Sequence, residues 1–400
     1  MKYLPEFGWK PTVFIPENPS YPIIDETLEK GVSPQLEIIR TKIWEPYQIA
    51  EFFGKDNKKF KAGQFDVGQN QSWKSKLSIW VRGNFFIPDA RVFWVKPSVK
   101  FLKKYLKEND FKAFVTTGPP HSMHLIGLEL KKEFPNLKWI ADFRDPWTEI
   151  SYYKHLKLSS SADQKHRDLE KKVFATADIT VATSYTDAEN FRKKGANAFC
   201  ITNGFDGIEV EEKVEVEFSK FTLSYIGVLE QLRNPNILWK ALIDLMEGNE
   251  DFQNNFILKL VGRIDEKILA QIENTPLKNV LKNLGYRSHS EANIEMQNSD
   301  LLLITNFPEE SSKGIIPGKI FEYLATGKQI LSFGPKKSDV EKILVDTQAG
   351  KHFTFEDSEA VKVFIWEKYL DWKKGIGANK TQNIEQFSRR NLTKKLTEII

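Results

Sequence analysis

In residues 311–335, SSKGIIPGKIFEYLATGKQILSFGP, a lysine and a glutamate stand one turn apart just inside a helix start. Pro317 and Gly318 open the predicted helix, Lys319 and Glu322 fall in its first turns, and Gly327 closes it. A proline at the start and a glycine just past the end are the boundary signals expected of a helix. Such an N-terminus presents unpaired backbone N–H groups and the positive end of the helix dipole, a seat for a diphosphate. Glu322 follows where a carboxylate could reach a sugar hydroxyl. The plainer reading of the same residues is an ordinary helix of an α/β domain.

A second cluster, TTGPPHS at residues 116–122, follows an apolar run and precedes an amphipathic one. Gly118, Pro119 and Pro120 make a rigid turn that places His121 and Ser122 at a helix start. Ligands of parallel sheets bind outside the carboxyl ends of the strands, so this turn stands where a crevice would be. The next apolar run ends in DFRDPW, residues 142–147. Asp142, Arg144, Asp145 and Trp147 there are costly to bury unless paired or used. They could orient a substrate, or an internal Asp–Arg bridge could merely staple the loop.

The second half repeats this style at several strand ends. Gly227 ends one apolar run, and Arg233, Asn234 and Pro235 begin the helix after it. Gly262 and Arg263 close the next run, and Arg287 follows the one after that. Glycine turns let backbone approach a phosphate closely, and an arginine neutralises its charge. His124, His155, His166, His289 and His352 lack ligand spacing and no Asp-x-Asp pair occurs, so neither a metal nor another cofactor is expected.

The elements that must position these residues are legible as alternation. Between residues 221 and 372, short apolar runs (221–226, 256–261, 280–286, 301–305, 330–333, 351–355) alternate with helix-length segments such as 235–246 and 338–346. Residues 111–205 do the same, with runs at 111–117, 137–143, 179–183 and 198–202. Continuous apolar strands separated by helices predict parallel sheets covered on both faces. The expected class is α/β, with two Rossmann-like doubly wound domains facing across a cleft. The expected boundaries are 1–207 and 221–378, a charged connection at 208–220, and a last helix at 379–400 that crosses back to the first domain.

Residues 44–100 fit this scheme poorly. They interleave Trp44, Phe52, Phe53, Trp73, Trp80, Phe85, Phe86 and Trp94 with basic residues, and a basic amphipathic helix is predicted over 97–111. Such a helix could lie on a membrane surface or pack on its own sheet with its lysines outward. Residues 1–200 carry 32 Lys and Arg against 24 Asp and Glu, a balance of +8, whereas residues 201–400 carry 26 against 30, a balance of −4. A basic half suggests an anionic partner, or only a solvated lysine-rich surface. No nucleic-acid-binding signature accompanies it. The single cysteine, Cys200, excludes an internal disulfide. No apolar run approaches a membrane span and the start has no signal-peptide core, so a cytoplasmic protein is expected, or one peripheral to the inner membrane face.

The GPPHS turn, DFRDPW, the Gly227…Arg233-Asn-Pro segment and PGKIFEYLATGK together resemble bacterial GT-B nucleotide-sugar glycosyltransferases of the family 4 type. The resemblance is strongest to a subgroup common in Bacteroidetes surface-polysaccharide clusters. It implies a nucleotide-sugar bound by the second domain at Gly227, Arg233, Gly262, Arg263, Arg287, Pro317, Gly318, Lys319 and Glu322. A glycan or lipid-linked acceptor would meet the first domain at Gly118, Pro119, Pro120, Ser122 and Asp145. His121, Asp142 and Arg144 are the catalytic candidates, and transfer would retain the anomeric configuration. The family's Glu-x₇-Glu pattern is half kept: Glu322 matches the ribose-binding second position, and Gly314 replaces the first. Relatives usually open with a strand, a glycine-rich loop and a helix ending in a run like residues 2–9, so a truncated start is expected. The rivals are a nucleotide-sugar epimerase of the same fold and an inactive nucleotide-binding homologue.

Overall fold

Among the described residues, the strands of the first half pair in parallel. The computed structural model describes residues 1–19, 33, 35–45, 73–150, 153–207, 220–376 and 381–400. Two strands, β1 (Thr12–Pro16) and β2 (Glu37–Thr41), form one small sheet. A second sheet holds β3 (Ala113–Gly118), β4 (Lys138–Phe143), β5 (Ile179–Ala182) and β6 (Ala198–Cys200) in that order. Parallel neighbours need long crossovers, which the helices Ser122–Glu133, Ser160–Thr176 and Tyr185–Lys193 supply. Ser159 and Ser184 start the last two by accepting a hydrogen bond from the backbone N–H three residues on.

Both faces of this sheet are covered, which is why its strands read as unbroken apolar runs. On one face Trp139, Ala141 and Phe143 pack with Trp147, Val173 and Phe174. On the other, Ile140 joins Ile179 and Val181 beneath Ile201, Leu396, Ile399 and Ile400. The last three come from the end of the chain, and residues Thr393–Ile400 belong to the same unit as Met1–Thr202.

The second unit, Asn203–Leu392, contains a six-stranded parallel sheet. Its strands are β7 (Phe221–Ile226), β8 (Phe256–Val261), β9 (Leu281–Gly285), β10 (Leu301–Thr305), β11 (Gln329–Phe333) and β12 (Gly350–Phe353). The order across the sheet is β12-β11-β10-β7-β8-β9. That is the dinucleotide-binding order, which reverses direction between its first and fourth strands, here β7 and β10. The core includes Leu223, Tyr225, Leu258, Leu260, Leu301 and Leu303 from the strands, closed by helix residues such as Leu238, Leu242, Ile268 and Ile365.

Two expectations change. Residues 2–9 form a 3₁₀ turn, Leu4–Phe7, closed by Gly8 at φ 79°, rather than the end of a longer helix. The basic helix runs Val92–Glu108 with Pro97 inside it, because the apolar stripe continues upstream of the proline. Its apolar side is spent on the unit's own core: Val99, Leu102 and Leu106 pack against Trp94, Val95, Ile126 and Leu130. Lys103 and Lys107 turn outward to Glu133 at 3.2 and 2.8 Å. Residues 208–219, Phe52 and Phe53 lie outside the described residues. Among the described residues, no helix is long and apolar enough to cross a membrane.

Gly127 shows how closely helix and sheet meet in the first unit. A Cβ there would sit 2.3 Å from the ring of Trp139, which is fully buried and donates its indole N–H to Thr116 Oγ1 at 2.9 Å. Gly127→Ala is therefore expected to destabilise the fold by about 1–3 kcal/mol from overpacking, against at most about 1 kcal/mol gained in helix propensity. The urea midpoint should fall at constant m-value. A midpoint equal to or above that of the parent would show that Trp139 yields freely.

Candidate functional site

At the carboxyl end of β7 two glycine turns lie against each other. Gly227 has φ 126° and Gly262 has φ 110°, backbone that disfavours side chains. A Cβ on Gly262 would also stand 2.2 Å from the Gly227 carbonyl oxygen. The turns are stitched in step, with Gly227 N–H donating to Val261 O at 2.8 Å and Gly262 N–H to Gly285 O at 2.7 Å. Between β7 and β10 the sheet changes direction, the place where such sheets receive ligands.

The helix Lys319–Thr326 reaches this point from the far side of β10. Gly318 is its N-cap, Pro317 and Gly318 form the lead-in turn, and Gly327 closes it at φ 70°. Lys319 Nζ donates to Ile226 O at 3.0 Å and lies 3.7 Å from the centre of the Tyr225 ring. One turn on, the Tyr323 hydroxyl accepts from Ile226 N–H at 3.2 Å. The two side chains clamp the last residue of β7 to the helix. Tyr225 in turn donates its hydroxyl to Val228 O at 2.7 Å, fixing the turn beyond.

Arg233 folds back from the 3₁₀ turn Gln231–Arg233 to the same place. Its Nη2 donates to Val228 O at 3.1 Å and to Glu230 Oε2 at 3.2 Å, and its guanidinium carbon is 5.2 Å from the Phe307 ring centre. Its Nε is buried with no hydrogen-bond partner. Burial first, and then the neighbouring Arg233 charge, push the Lys319 ammonium down to a pKa of about 7, while Glu322 pulls the other way. Two cations drawn together at a helix N-terminus are an anion site in waiting. An added Cβ on Gly318 would meet nothing within 4 Å, so this end of the helix is open.

Glu322 lies in the first turn of that helix, its side chain 44 % exposed, with Oε1 3.4 Å from His289 Nε2. Gly227, Arg233, Gly262, Lys319 and Glu322 thus share one end of one sheet. Arg263 and Arg287 are exposed at the neighbouring strand ends. Sequence reading passed over Tyr323 and Asn306. Tyr323 stands one helical turn after Lys319, the spacing that puts two side chains on one face. Asn306 directly follows the apolar run LLLIT, is 1 % exposed, and donates to Ile315 O at 2.8 Å, holding the loop that leads to the helix.

In the first unit β3 and β4 end side by side, so the two motifs meet. Thr117 pairs in register with Asp142, and its hydroxyl donates to Asp142 Oδ2 at 3.3 Å. Arg144 N–H donates to Gly118 O at 2.8 Å, and Thr183 Oγ1 donates to Arg144 O at 2.8 Å. Burial raises the pKa values of Asp142 and Asp145, and the Arg144 guanidinium between them partly offsets this. The peptides Gly118–Pro119 and Pro119–Pro120 are cis.

His121 and Ser122 are less available than their positions suggested. The His121 ring is 8 % exposed, stacked on Trp147 with centres 5.1 Å apart, and both its nitrogens lack partners. Burial, then the nearby His166, push its pKa down to about 3, so it is neutral at ordinary pH. His124, one turn on, is also held neutral by burial. Ser122 is fully buried, and its N–H and hydroxyl both donate to Asp89, at 2.8 and 2.7 Å. Both donors are thus engaged within the fold, anchoring the turn. Asp89, distant in sequence, carries no motif that would have marked it as the anchor.

No protein-family model matches the sequence, and no curated protein matches it. Solved structures do. A sucrose-phosphate synthase from Thermosynechococcus elongatus aligns with 100% of this chain and 90% of its own at 14% identity and a TM-score of 0.58. The apo form of the lipopolysaccharide outer core galactosyltransferase WaaB aligns over 97% and 98% at 16% identity and 0.54. An α,α-trehalose-phosphate synthase from Burkholderia xenovorans aligns over 76% of each chain at 9% identity and 0.51.

The buried histidines predict a pH response. A histidine whose folded pKa lies below its unfolded value favours the fold above pH 6.5 and costs stability as pH falls toward the folded value. For His121 that window runs from about pH 6.5 down to about 3. The urea midpoint should therefore drop between pH 7 and 5, and His121→Phe should reduce the drop. An unchanged pH slope in that variant would mean His121 is solvated in solution. With their paired parallel sheets and these whole-chain likenesses, the two units are the Rossmann-like domains of the GT-B fold.

Proposed function

We propose that this chain is a glycosyltransferase that moves a sugar from a nucleoside-diphosphate donor to a glycan or lipid-linked acceptor, with retention, in building a surface polysaccharide. The observation that carries the reading is Lys319 and Arg233 converging at an open helix N-terminus, with Glu322 one turn further in. The similar structures bear the names of sugar-transferring enzymes, and WaaB's names a surface glycan. The diphosphate is the leaving group, and its negative charge grows as the glycosidic bond breaks. Lys319, Arg233 and the backbone N–H groups after Pro317 and Gly318 stabilise that charge in place before it develops. Gly227 and Gly262 leave room for the phosphates to approach the main chain, and Glu322 accepts from the ribose hydroxyls.

In the first domain Asp142, Arg144 and Asp145 are the polar groups that orient the sugar or acceptor. His121, being neutral, contributes a hydrogen bond rather than a charge. Screening nucleotide-sugars for turnover, with products resolved by NMR, tests the activity. Conversion of donor to an epimer with no acceptor consumed would replace this reading with epimerisation.

Three variants test the donor side. Glu322→Gln should weaken nucleoside-diphosphate binding by about 1.5–3 kcal/mol, the range for a hydrogen bond to a charged group. Arg233→Ala and Lys319→Ala should each lower kcat more than they raise donor KM, because the charge they meet grows in the transition state. Effects confined to KM would restrict both residues to ground-state binding.

Lys319 also gives the site a proton signature. Free, it titrates at about 7. A bound diphosphate raises that value, so binding above pH 7 takes up a proton and affinity falls as pH rises. Calorimetry in buffers of different ionisation enthalpy should register this uptake, and Lys319→Arg should abolish it. Equal apparent enthalpies in all buffers for the parent protein would place the diphosphate elsewhere.

A further inference from the structure

We infer that His289 is a positioning residue for Glu322, holding its carboxylate toward the donor ribose; this rests on the donor-site reading above. Glu322 is a long side chain, and half-exposed as it is, it would otherwise sample several rotamers. The contact that restricts it comes from another strand end. His289 is the first residue of the helix His289–Gln297 that follows β9, and its Nε2 lies 3.4 Å from Glu322 Oε1.

The imidazole is itself oriented. Asn293, one turn along the same helix, places Nδ2 3.4 Å from His289 Nδ1. An amide nitrogen only donates, so Nδ1 accepts and the ring N–H is the one on Nε2, directed at the carboxylate. The backbone beneath is equally fixed. Ser288 caps the helix, its Oγ accepting from Glu291 N–H at 3.4 Å, and Glu291 Oε2 accepts from Ser288 N–H at 2.8 Å and its hydroxyl at 2.7 Å. These bonds hold the Glu291 carboxyl below its usual range. The capped turn therefore presents His289 at a set point, and Asn293 decides which nitrogen faces Glu322.

The His289 side chain is 77 % exposed. An exposed pair of this kind adds little to folding, so its removal leaves the fold intact and acts only on the orientation of Glu322. That separates a positioning role from a structural one.

The test measures, by calorimetry, whichever of UDP, GDP, ADP and CDP binds the unaltered protein most tightly. His289→Ala should weaken that binding about three- to tenfold, the worth of one modest hydrogen bond, with an unchanged melting temperature. His289→Gln, which keeps a donor on the side chain, should recover most of the loss. In a Glu322→Gln background, His289→Ala should add nothing further, since the two act as one unit. Full additivity would overturn the inference by showing that His289 meets the nucleotide independently. Parental affinity in His289→Ala alongside a loss in Glu322→Gln would overturn it too, leaving the donor site standing. No binding of any nucleoside diphosphate by the unaltered protein would overturn the donor site itself, and this inference with it.

Discussion

The arrangement of the second domain depends on the pairing of β7 with β10, strands far apart in sequence that are neighbours in the sheet. Because the crossover helices leave this boundary in opposite directions, the carboxyl ends of the two strands stay uncovered by their own connections. The grouping of Gly227, Arg233, Lys319 and Glu322 is a consequence. Gly227 continues β7, Asn306 continues β10, and the helix after β10 brings Lys319 and Tyr323 back to the last residue of β7. With β10 elsewhere, Lys319 and Arg233 would be two unrelated surface cations.

That convergence has an electrostatic cost which the site uses. Lys319 and Arg233 sit close enough, and dry enough, for the lysine to lose part of its affinity for a proton. A buried charge of this kind is tolerated when something else compensates it. Here the Ile226 carbonyl and the Tyr225 ring face supply part of the compensation. On the proposed reading, the phosphate of a donor would supply the rest. The first domain solves the same difficulty in the opposite way. Its buried histidines shed their charge, and His121 and His124 pack as neutral rings among Phe143 and Trp147.

The same economy explains why some polar residues serve the fold and others the site. Ser122 donates both its N–H and its hydroxyl to Asp89, which also accepts from Arg91 N–H, and this cluster holds the start of the helix after β3. Asp142 and Asp145 instead share a single guanidinium and keep unspent hydrogen-bonding capacity at a strand end. A motif residue that is fully engaged and buried is positioning backbone, and one only partly engaged at a strand end is available to a ligand.

Much of this was legible beforehand. Unbroken apolar runs such as LLLIT and ILSF mark strands covered on both faces, and Gly327 and the serine caps mark helix ends, because these signals act within a few residues. The clustering of glycine and basic residues at strand ends was visible for the same reason. Pro97 misled because a local stop signal was outweighed by an apolar stripe that packs against Ile126 and Leu130. The availability of His121 and Ser122 was invisible, since burial by Trp147 and capture by Asp89 come from segments distant in sequence. So was the meeting of His289 with Glu322, which required the helices after β9 and β10 to start from the same end of the parallel sheet. The sequence by itself determined which segments are strands and helices and which residue types stand at their ends, through short-range propensity and periodicity. Only the tertiary structure decided which of those ends are neighbours, because strand order is set by packing between segments that no local pattern connects.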